Sequence, residues 1–142
     1  MEIAEALDFV RGQRQVVLVT LRRNARPQLS NVLAHVGDDG VLRISITESR
    51  AKYKNLVREP WGAVHATSDD RWSWVVVEGD VTLSDVVRDP HDDAAEELVR
   101  LYRDLAGEHP DWEEYRASLV AEGRVVVRLR PDHAYGQLPQ GR

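Results

Sequence analysis

The chain contains no cysteine, only one methionine and one phenylalanine, and no long hydrophobic run. The lack of cysteine excludes disulfides, thiolate nucleophiles and zinc–thiolate sites. No apolar stretch approaches the ~20 residues of a membrane-spanning helix. The first ten residues, MEIAEALDFV, also lack the basic start and apolar core of a signal peptide. We therefore expect no membrane partner and a cytoplasmic location.

An excess of basic residues is also absent, because 19 Lys and Arg face 24 Asp and Glu, and the net charge is -5. A nucleic-acid-binding domain carries a basic face, so we expect no nucleic-acid partner. The 142 residues are 42% hydrophobic and 30% charged, which is ordinary for a globular protein. This length predicts a single domain, residues 1–142, with a real core.

The familiar catalytic motifs are missing as well. The sequence contains no HxxxH pair, no GxSxG elbow and no glycine-rich phosphate loop of the Rossmann or P-loop kind. Its five histidines are scattered rather than grouped. We therefore predict no metal site and no catalytic acid or base.

What the sequence does contain is a clear alternation of strand and helix patterns. Hydrophobic periodicity predicts a helix, three strands, a helix, two strands, two helices and a final strand. The Asp89-Pro90 pair is expected to start the third helix. Tight turns between consecutive strands imply antiparallel pairing, which favours a small barrel with peripheral helices, a mainly β (α+β) fold. The six predicted strands cover residues 16–21, 28–36, 41–47, 61–67, 72–83 and 125–129.

The most informative stretch is ISITESRAKYKNLVREP, residues 44–60. Its first residues alternate as in a half-buried strand, and Ser49 is suited to cap a helix over residues 50–59. The first turn or so of that helix would carry three cations, Arg50, Lys52 and Lys54.

Those cations predict an anion site. A helix N-terminus already carries partial positive charge and unpaired N–H groups, so each cation there costs a few tenths of a kcal/mol, up to ~1. A bound anion would reverse the sign of this effect. With the hydroxyls of Ser45, Thr47 and Ser49, the segment would form a phosphate-sized receptor. The alternative is a solvated cationic helix face with Glu48 and Glu59 as partners.

Two further groups of side chains are suited to a planar ligand. Trp72 and Trp74 lie close to a turn and could form a flat apolar wall against a ring, although they could equally be core or dimer contacts. Gln28, Ser30 and Asn31 supply neutral hydrogen-bonding groups for a heterocycle. A phosphate receptor, a stacking wall and neutral hydrogen-bonding groups together favour a protein that holds a phosphorylated planar redox cofactor.

Several segments resemble a known family. VVLVTLRRNARPQLSNV, ISITESRAKYKNLVREP and WSWVVVEGDVTL are similar to the split-barrel flavin-binding superfamily that includes pyridoxamine 5'-phosphate oxidase. LVRLYRDLAGEHPDWEEYRASLV and RVVVRLRPDHAYG resemble more narrowly its actinobacterial branch that binds the deazaflavin coenzyme F420. The resemblance covers nearly the entire chain. It implies a six-stranded antiparallel split β-barrel of the FMN-binding type, and a homodimer with cofactor sites at the subunit interface.

The resemblance also implies where the cofactor phosphate binds. It places the phosphate at Ser45, Arg50 and Lys52, with the backbone of Ala51 close by. This agrees with the charge argument made from the residues themselves.

For the rest of the cofactor, the resemblance implies contacts from both subunits. Trp72 and Ser73 would come from the partner subunit and cover the cofactor. Arg22 or Arg26 could reach a polyglutamate tail. The deazaflavin ring would lie against Gln28, Ser30, Asn31 and Val32.

The function implied is an F420-dependent reductase that transfers hydride from reduced deazaflavin to an electron-poor small-molecule substrate. Two alternatives stay open, an FMN-binding pyridoxamine 5'-phosphate oxidase-like protein and a non-catalytic F420 carrier. Pyridoxamine 5'-phosphate oxidases carry a C-terminal Trp and an Arg-x-His substrate motif, whereas this sequence ends RPDHAYGQLPQGR. We therefore do not expect oxidation of vitamin B6 phosphates.

Overall fold

The computed structural model describes residues 1–138, and residues 139–142 of the predicted domain lie outside the described residues. Within the described range, no helix is both long and apolar enough to cross a lipid bilayer. The described chain forms, in order, α1 (Ile3–Arg11), β1 (Gln15–Leu21), β2 (Pro27–Leu33), β3 (His35–Val36), β4 (Leu42–Thr47), α2 (Ala51–Arg58), β5 (Trp61–Thr67), β6 (Trp74–Leu83), α3 (Asp93–Ala106), α4 (Trp112–Glu122) and β7 (Arg124–Gln137).

All strands belong to one antiparallel sheet in the order β2-β1-β5-β6-β7-β4-β3. The two edge strands, β2 and β3, are joined by a single residue, Ala34. Edges that are one residue apart in the chain must lie side by side, so the sheet is rolled into a barrel that is open along this seam. The predicted fold class, a mainly β split barrel with peripheral helices, is confirmed.

The described chain forms seven strands rather than the predicted six, because the predicted strand 28–36 is divided. Ala34 leaves the ladder, and its N–H donates to the carbonyl oxygen of Arg14 at 2.8 Å. Residues before Ala34 pair with β1, whereas His35 and Val36 pair with β4 at the opposite edge. Periodicity along the sequence does not reveal a change of partner strand, since the alternation continues through it.

The barrel interior is filled by alternating side chains from the strands and by one face of α1. Ala6, Leu7 and Val10 of α1 are buried. The inner residues of β1, Val16 and Leu18, are buried, whereas its outer residues are half-exposed. The outer face of this strand is therefore left uncovered in the single chain.

A second buried cluster lies beneath α3 and α4. The predicted start of α3 at Asp89-Pro90 is wrong, since Asp92 caps the helix and accepts a hydrogen bond from the Ala95 N–H at 2.9 Å. Asp111 caps α4, accepting from the Glu114 N–H at 3.1 Å. These helices bury Leu98 and Leu119 against Val126 of β7, which holds them beside the barrel.

The β6–β7 hairpin is longer than the sequence predicts. β6 begins at Trp74, so Trp72 lies in the preceding turn rather than in the strand. β7 continues through Gln137 instead of ending at Leu129. Its pairing with β6 shifts register at Glu78 and Gly79, where a Cβ on Gly79 would clash with the Arg130 carbonyl. The bulge explains why a short apolar pattern does not mark the end of this strand.

Candidate functional site

Eight of the ten residues predicted to bind a cofactor line one open cavity of about 740 Å³. It lies between β2, β4 and the start of α2, with α3 and α4 on the far side. This volume falls within the usual range for small-molecule and cofactor sites, about 300–1,000 Å³. The eight residues are Gln28, Ser30, Asn31, Val32, Ser45, Arg50, Ala51 and Lys52.

One end of this cavity is cationic. Arg50, which immediately precedes α2, and Lys52 of α2 are joined there by Arg124, the first residue of β7, which the sequence analysis missed. Arg124 donates to the Ser45 hydroxyl at 3.3 Å, and through Nε to Glu122 at 2.7 Å. The antiparallel pairing of Thr47 with Arg124 brings it there, and nothing local in the sequence signals that register.

The pKa of Lys52 is affected by the other cations of the cavity. Burial, and then the neighbouring charges of Arg50 and Arg124, hold the pKa of the Lys52 ammonium below its ordinary value. Like charges held together in this way destabilise the protonated form unless an anion lies between them. We infer that this end of the cavity, which we call the cationic end (Arg50, Lys52 and Arg124), is suited to a phosphate.

The N-terminus of α2 supports the same inference with one correction. Ser49 is not the cap: Arg50 occupies the N-cap position, and no side chain caps the helix among the described residues. The first N–H groups of α2 are therefore free of a capping side chain, as an anion site requires. The hydroxyls of Ser45 and Thr47 line the cavity, whereas Lys54 and Ser49 do not.

The rest of the cavity lining is neutral. Gln28, Ser30 and Val32 lie on the inner face of β2, since they pair with the buried residues Thr20, Leu18 and Val16 of β1. A wall from the helices, which sequence reasoning also missed, consists of Leu101, Leu105 and Tyr115.

Tyr115 is a fixed, uncharged part of this wall. Its hydroxyl donates to the Leu98 carbonyl at 3.3 Å. Burial raises the pKa of Tyr115 to about 12, so the phenol stays protonated at neutral pH. It is placed to pack against a ligand rather than to supply a proton.

An amide network anchors Gln28. Asn55 of α2 is buried and donates through Nδ2 to Gln28 Oε1 at 2.9 Å and to Thr20 Oγ1 at 3.1 Å. Arg58 in turn donates to Asn55 Oδ1 at 3.0 Å. α2 therefore supplies both Lys52 of the cationic end and the Asn55 side chain that supports Gln28.

Trp72 and Ser73 are the two predicted residues that do not line this cavity. They lie in the β5–β6 turn, where Trp72 is 75% exposed. The turn is held by its own hydrogen bonds, since the Trp72 N–H donates to Asp70 at 3.0 Å and Gln137 donates to the Trp72 carbonyl at 2.9 Å. An indole is thus held out from the protein by a well-bonded turn.

Two further cavities adjoin the first. One of about 750 Å³ lies along β1 and β2 and shares Asn31, Val32 and Leu33 with it. Another, of about 700 Å³, shares Arg50 and Arg124 with the first and also contains Arg88. Arg22 and Arg26, the predicted contacts for a polyglutamate tail, line neither of the cavities that contain Arg50.

Residues 3–138 match the protein-family model for pyridoxamine 5'-phosphate oxidase. This chain belongs to that family. It is a family of flavin-binding oxidoreductases. Family membership accounts for the rolled sheet and for a cofactor-sized cavity at its open seam.

Solved structures share the fold of this family member. A protein described as an F420 reductase is 24% identical, with a TM-score of 0.67, covering 90% of this chain and 94% of that one. A conserved hypothetical protein from Mycobacterium tuberculosis is 22% identical, with a TM-score of 0.73, covering 100% and 91%. A pyridoxamine 5'-phosphate oxidase-related, FMN binding protein from Nostoc punctiforme is 18% identical, with a TM-score of 0.63, covering 93% and 79%. At these identities the similarity establishes the fold.

The cavity of this pyridoxamine 5'-phosphate oxidase family member is built for binding. Among the described residues that line it, none is a histidine, aspartate or glutamate. Within residues 1–138, no three His, Asp or Glu side chains are grouped to hold a metal ion. The side chains present can hold an anion, orient a ring and exclude water. The reaction itself would be supplied by a bound cofactor.

Proposed function

We propose that this protein is an F420-dependent reductase that binds reduced deazaflavin in the 740 Å³ cavity and presents it to an electron-poor organic substrate. The observation that carries the proposal is the cationic end, where Arg50, Lys52 and Arg124 meet beside an uncapped helix N-terminus. Clustered cations of this kind are stabilised by a bound phosphate.

The residues present fit such a cofactor along the length of the cavity. The phosphate would bind Arg50, Lys52 and Arg124, with the Ser45 hydroxyl and the Ala51 backbone beside it. The ring would lie along the neutral part of the lining, against Gln28, Ser30, Asn31 and Val32. Leu101, Leu105 and Tyr115 would pack on its other side.

The cofactor would supply hydride transfer, and this chain would bind, orient and shield it. The amide of Gln28 and the hydroxyl of Ser30 can orient a heterocycle by hydrogen bonds. The apolar helix wall excludes water from one face. No proton transfer by a side chain is required of the residues that line the cavity.

The adjoining cavity of about 700 Å³ favours F420 over FMN. A phosphate at the cationic end would have a further space of about 700 Å³ beyond it. Arg50, Arg88 and Arg124 supply three positive charges there against Glu48 and Glu122. FMN ends at its phosphate, whereas the acidic tail of F420 extends beyond it, so this space suits the longer cofactor.

FMN remains the second candidate, because one similar structure is described as an FMN binding protein. The cationic end would serve an FMN phosphate equally well. A non-catalytic F420 carrier is the third, and the lack of acid–base groups in the lining is compatible with it. Both alternatives use the same cavity. The first differs in the cofactor bound, and the second differs in that no substrate is reduced.

We also propose that the active form is a homodimer. Apolar side chains are exposed on the outer sheet face around β1 and β2, including Leu29 at 63% and Leu33 at 50%. A contiguous apolar patch on this face would be suited to an interface between protein chains. In a dimer across this face, the exposed Trp72 of a second copy would cover the cavity, with Ser73 beside it.

The direct test is fluorescence-quenching titration of the purified protein against F420 and FMN in parallel. Micromolar or tighter binding of F420, with weaker binding of FMN, is the expected result. Binding of FMN alone would select the second candidate, and binding of neither would overturn the proposal. Oxidation of reduced F420 in the presence of electron-poor substrates then separates a reductase from a carrier.

A further inference from the structure

Four hydrogen bonds made by Arg58 and Asn55 link α2 to β1 and to the ligand cavity. Arg58 Nη2 donates to the Leu21 carbonyl at 2.8 Å and to Asn55 Oδ1 at 3.0 Å. Asn55 Nδ2 then donates to Gln28 Oε1 at 2.9 Å and to Thr20 Oγ1 at 3.1 Å. Gln28 lines the cavity. We call Arg58, Asn55 and Gln28 the amide relay.

The relay determines which way each amide is turned. A guanidinium can only donate, so the Asn55 atom facing Arg58 must be the oxygen. The Asn55 atom facing Gln28 is then the NH2 group, and its partner on Gln28 must be the oxygen. Arg58 itself is held by the Leu21 carbonyl. The orientation of Gln28 therefore follows from hydrogen-bond chemistry.

Burial makes this orientation expensive to reverse. Asn55 is 5% exposed and Thr20 is 1% exposed, and both lie within the network. Turning the Asn55 amide would place its NH2 group against the Arg58 guanidinium and its oxygen against Gln28 Oε1. The NH2 group would then face another donor, and the oxygen would face another acceptor. Because Asn55 and Thr20 are buried, water could not readily replace their lost hydrogen bonds.

We propose that Asn55 and Arg58 are positioning residues that fix Gln28 as a hydrogen-bond donor toward the cavity, so the ligand atom at this place is an acceptor. Within residues 1–138 the Gln28 NH2 group has no hydrogen-bond partner. The complementary group is a ring carbonyl oxygen or an unprotonated ring nitrogen, and a ring N–H is disfavoured. The identity of the ring as a deazaflavin or flavin rests on the proposed function. The orientation of Gln28 is independent of that proposal.

The first test needs no ligand. Side-chain amide hydrogen exchange is measured by NMR on the full chain labelled with 15N at Asn and Gln. We expect slow exchange for Asn55 and fast exchange for Gln28. In Asn55→Asp, an oxygen replaces the NH2 group that faces Gln28. Gln28 must then turn its NH2 group toward residue 55, and one of its protons becomes slow. Slow exchange of the Gln28 amide protons in the wild-type protein would overturn the proposal. So would a Gln28 amide whose protons all still exchange fast in Asn55→Asp.

The second test measures recognition with F420 and FMN as the probes. Gln28→Glu keeps the acceptor for Asn55 but presents an oxygen to the cavity, so we expect affinity to fall by roughly 10- to 100-fold. Asn55→Asp should cause a similar loss, because Gln28 then presents its oxygen. Val57→Ala, on an exposed position of the same helix, should bind as the wild type does.

A double-mutant cycle separates positioning from a general effect on α2. In a Gln28→Leu background no amide remains to be turned, so Asn55→Asp should cause little further loss. An equal loss in both backgrounds would show that Asn55 acts through the helix instead, and would refute the proposal. Thermal unfolding of each variant confirms that the chain is folded.

These outcomes are distinguishable from a failure of the proposed function. If the wild-type protein binds neither F420 nor FMN, the proposed function fails, while the exchange data still decide the orientation of Gln28. If either cofactor binds but the cycle shows no coupling, the positioning proposal fails and the proposed function stands.

Discussion

Arg124 Nη1 donates a hydrogen bond to the Ser45 hydroxyl at 3.3 Å, across 79 residues of sequence. The pairing of β4 with β7 creates this contact, since Thr47 lies opposite Arg124 in the ladder. Gly123 lies between α4 and β7. Its left-handed backbone, φ 63°, ends the helix, so the strand begins directly at Arg124. The cationic end is therefore assembled from two distant segments.

Replacement of Arg124 tests that assembly. Arg124→Ala removes a charged donor from the cationic end, so we expect cofactor affinity to fall by about 1.5–3 kcal/mol, the range for hydrogen bonds to charged groups. Arg130→Ala is the matched control, because this arginine is exposed on the same strand and lies outside the cavity. Equal affinities of the two variants, by fluorescence titration, would exclude Arg124 from the site.

Arg50 and Lys52 are expected to behave alike. Arg50→Ala and Lys52→Ala should each weaken cofactor binding by about 1.5–3 kcal/mol, without changing thermal stability. Lys54→Ala serves as the control, since Lys54 is exposed on the same helix but does not line the cavity. If Lys54→Ala is as damaging as Lys52→Ala, the effect is long-range charge rather than contact.

Cofactor affinity should fall at alkaline pH, because the Lys52 ammonium loses its proton there. The pKa of Lys52 in the free protein is lowered by burial and by Arg50 and Arg124. A bound phosphate favours the protonated form and raises that pKa. Affinity should therefore be full below the free-protein pKa and decline as pH rises through it, by up to about tenfold per pH unit.

The conservative variant checks this assignment. Lys52→Arg keeps a positive charge to above about pH 12, so its affinity should stay level where the wild type declines. Titrations from about pH 7 to about pH 11 compare the two proteins. Parallel declines in both would assign the titration to another group.

The junction of α3 with the barrel depends on Glu97. This half-buried carboxylate accepts hydrogen bonds from Arg128 at 2.8 and 2.5 Å and lies 3.4 Å from Arg43. Glu97→Gln leaves two cations without their partner, so we expect a loss of about 1–3 kcal/mol in the free energy of unfolding, by chemical denaturation. A change of less than a few tenths would mean that the pair contributes nothing net, as many ion pairs do.

Acid should weaken the same junction. Hydrogen bonding from Arg128, opposed by burial, lowers the pKa of Glu97 in the folded protein. A lowered carboxyl pKa contributes stability that is present above the unfolded-state value and is lost as pH falls through the folded value. The difference in stability between wild type and Glu97→Gln should therefore shrink below about pH 4.3.

The oligomeric state of a Leu29 variant tests whether the outer sheet face is the dimer interface. Leu29→Glu places a charge on an apolar surface that we expect to be buried between two copies, so it should shift the protein toward monomer in sedimentation velocity. Val57→Glu is the control, since Val57 is similarly exposed, at 58%, but lies on α2. A wild-type monomer that binds cofactor fully would contradict the proposed role of Trp72.

Much of the fold could be predicted because strands and helices leave local periodicities. The cap of α4 at Asp111 and the apolar face of α1 follow from neighbouring residues alone. The errors occur where a distant partner overrides the local pattern. β7 extends to Gln137 because β6 pairs with it that far, and the chain changes strand partners at Ala34 because the barrel seam lies there.

Local sequence by itself determined that Arg50 and Lys52 crowd the start of one helix and that Gln28, Ser30 and Val32 share one side of a strand. Helix and strand geometry place residues a few positions apart at known relative angles. Only the tertiary structure decided that both groups face the same cavity, that Arg124 joins the cations and that Asn55 turns the Gln28 amide. Those contacts depend on sheet register and on helix docking, which are set by packing across the whole barrel and leave no mark on any single segment.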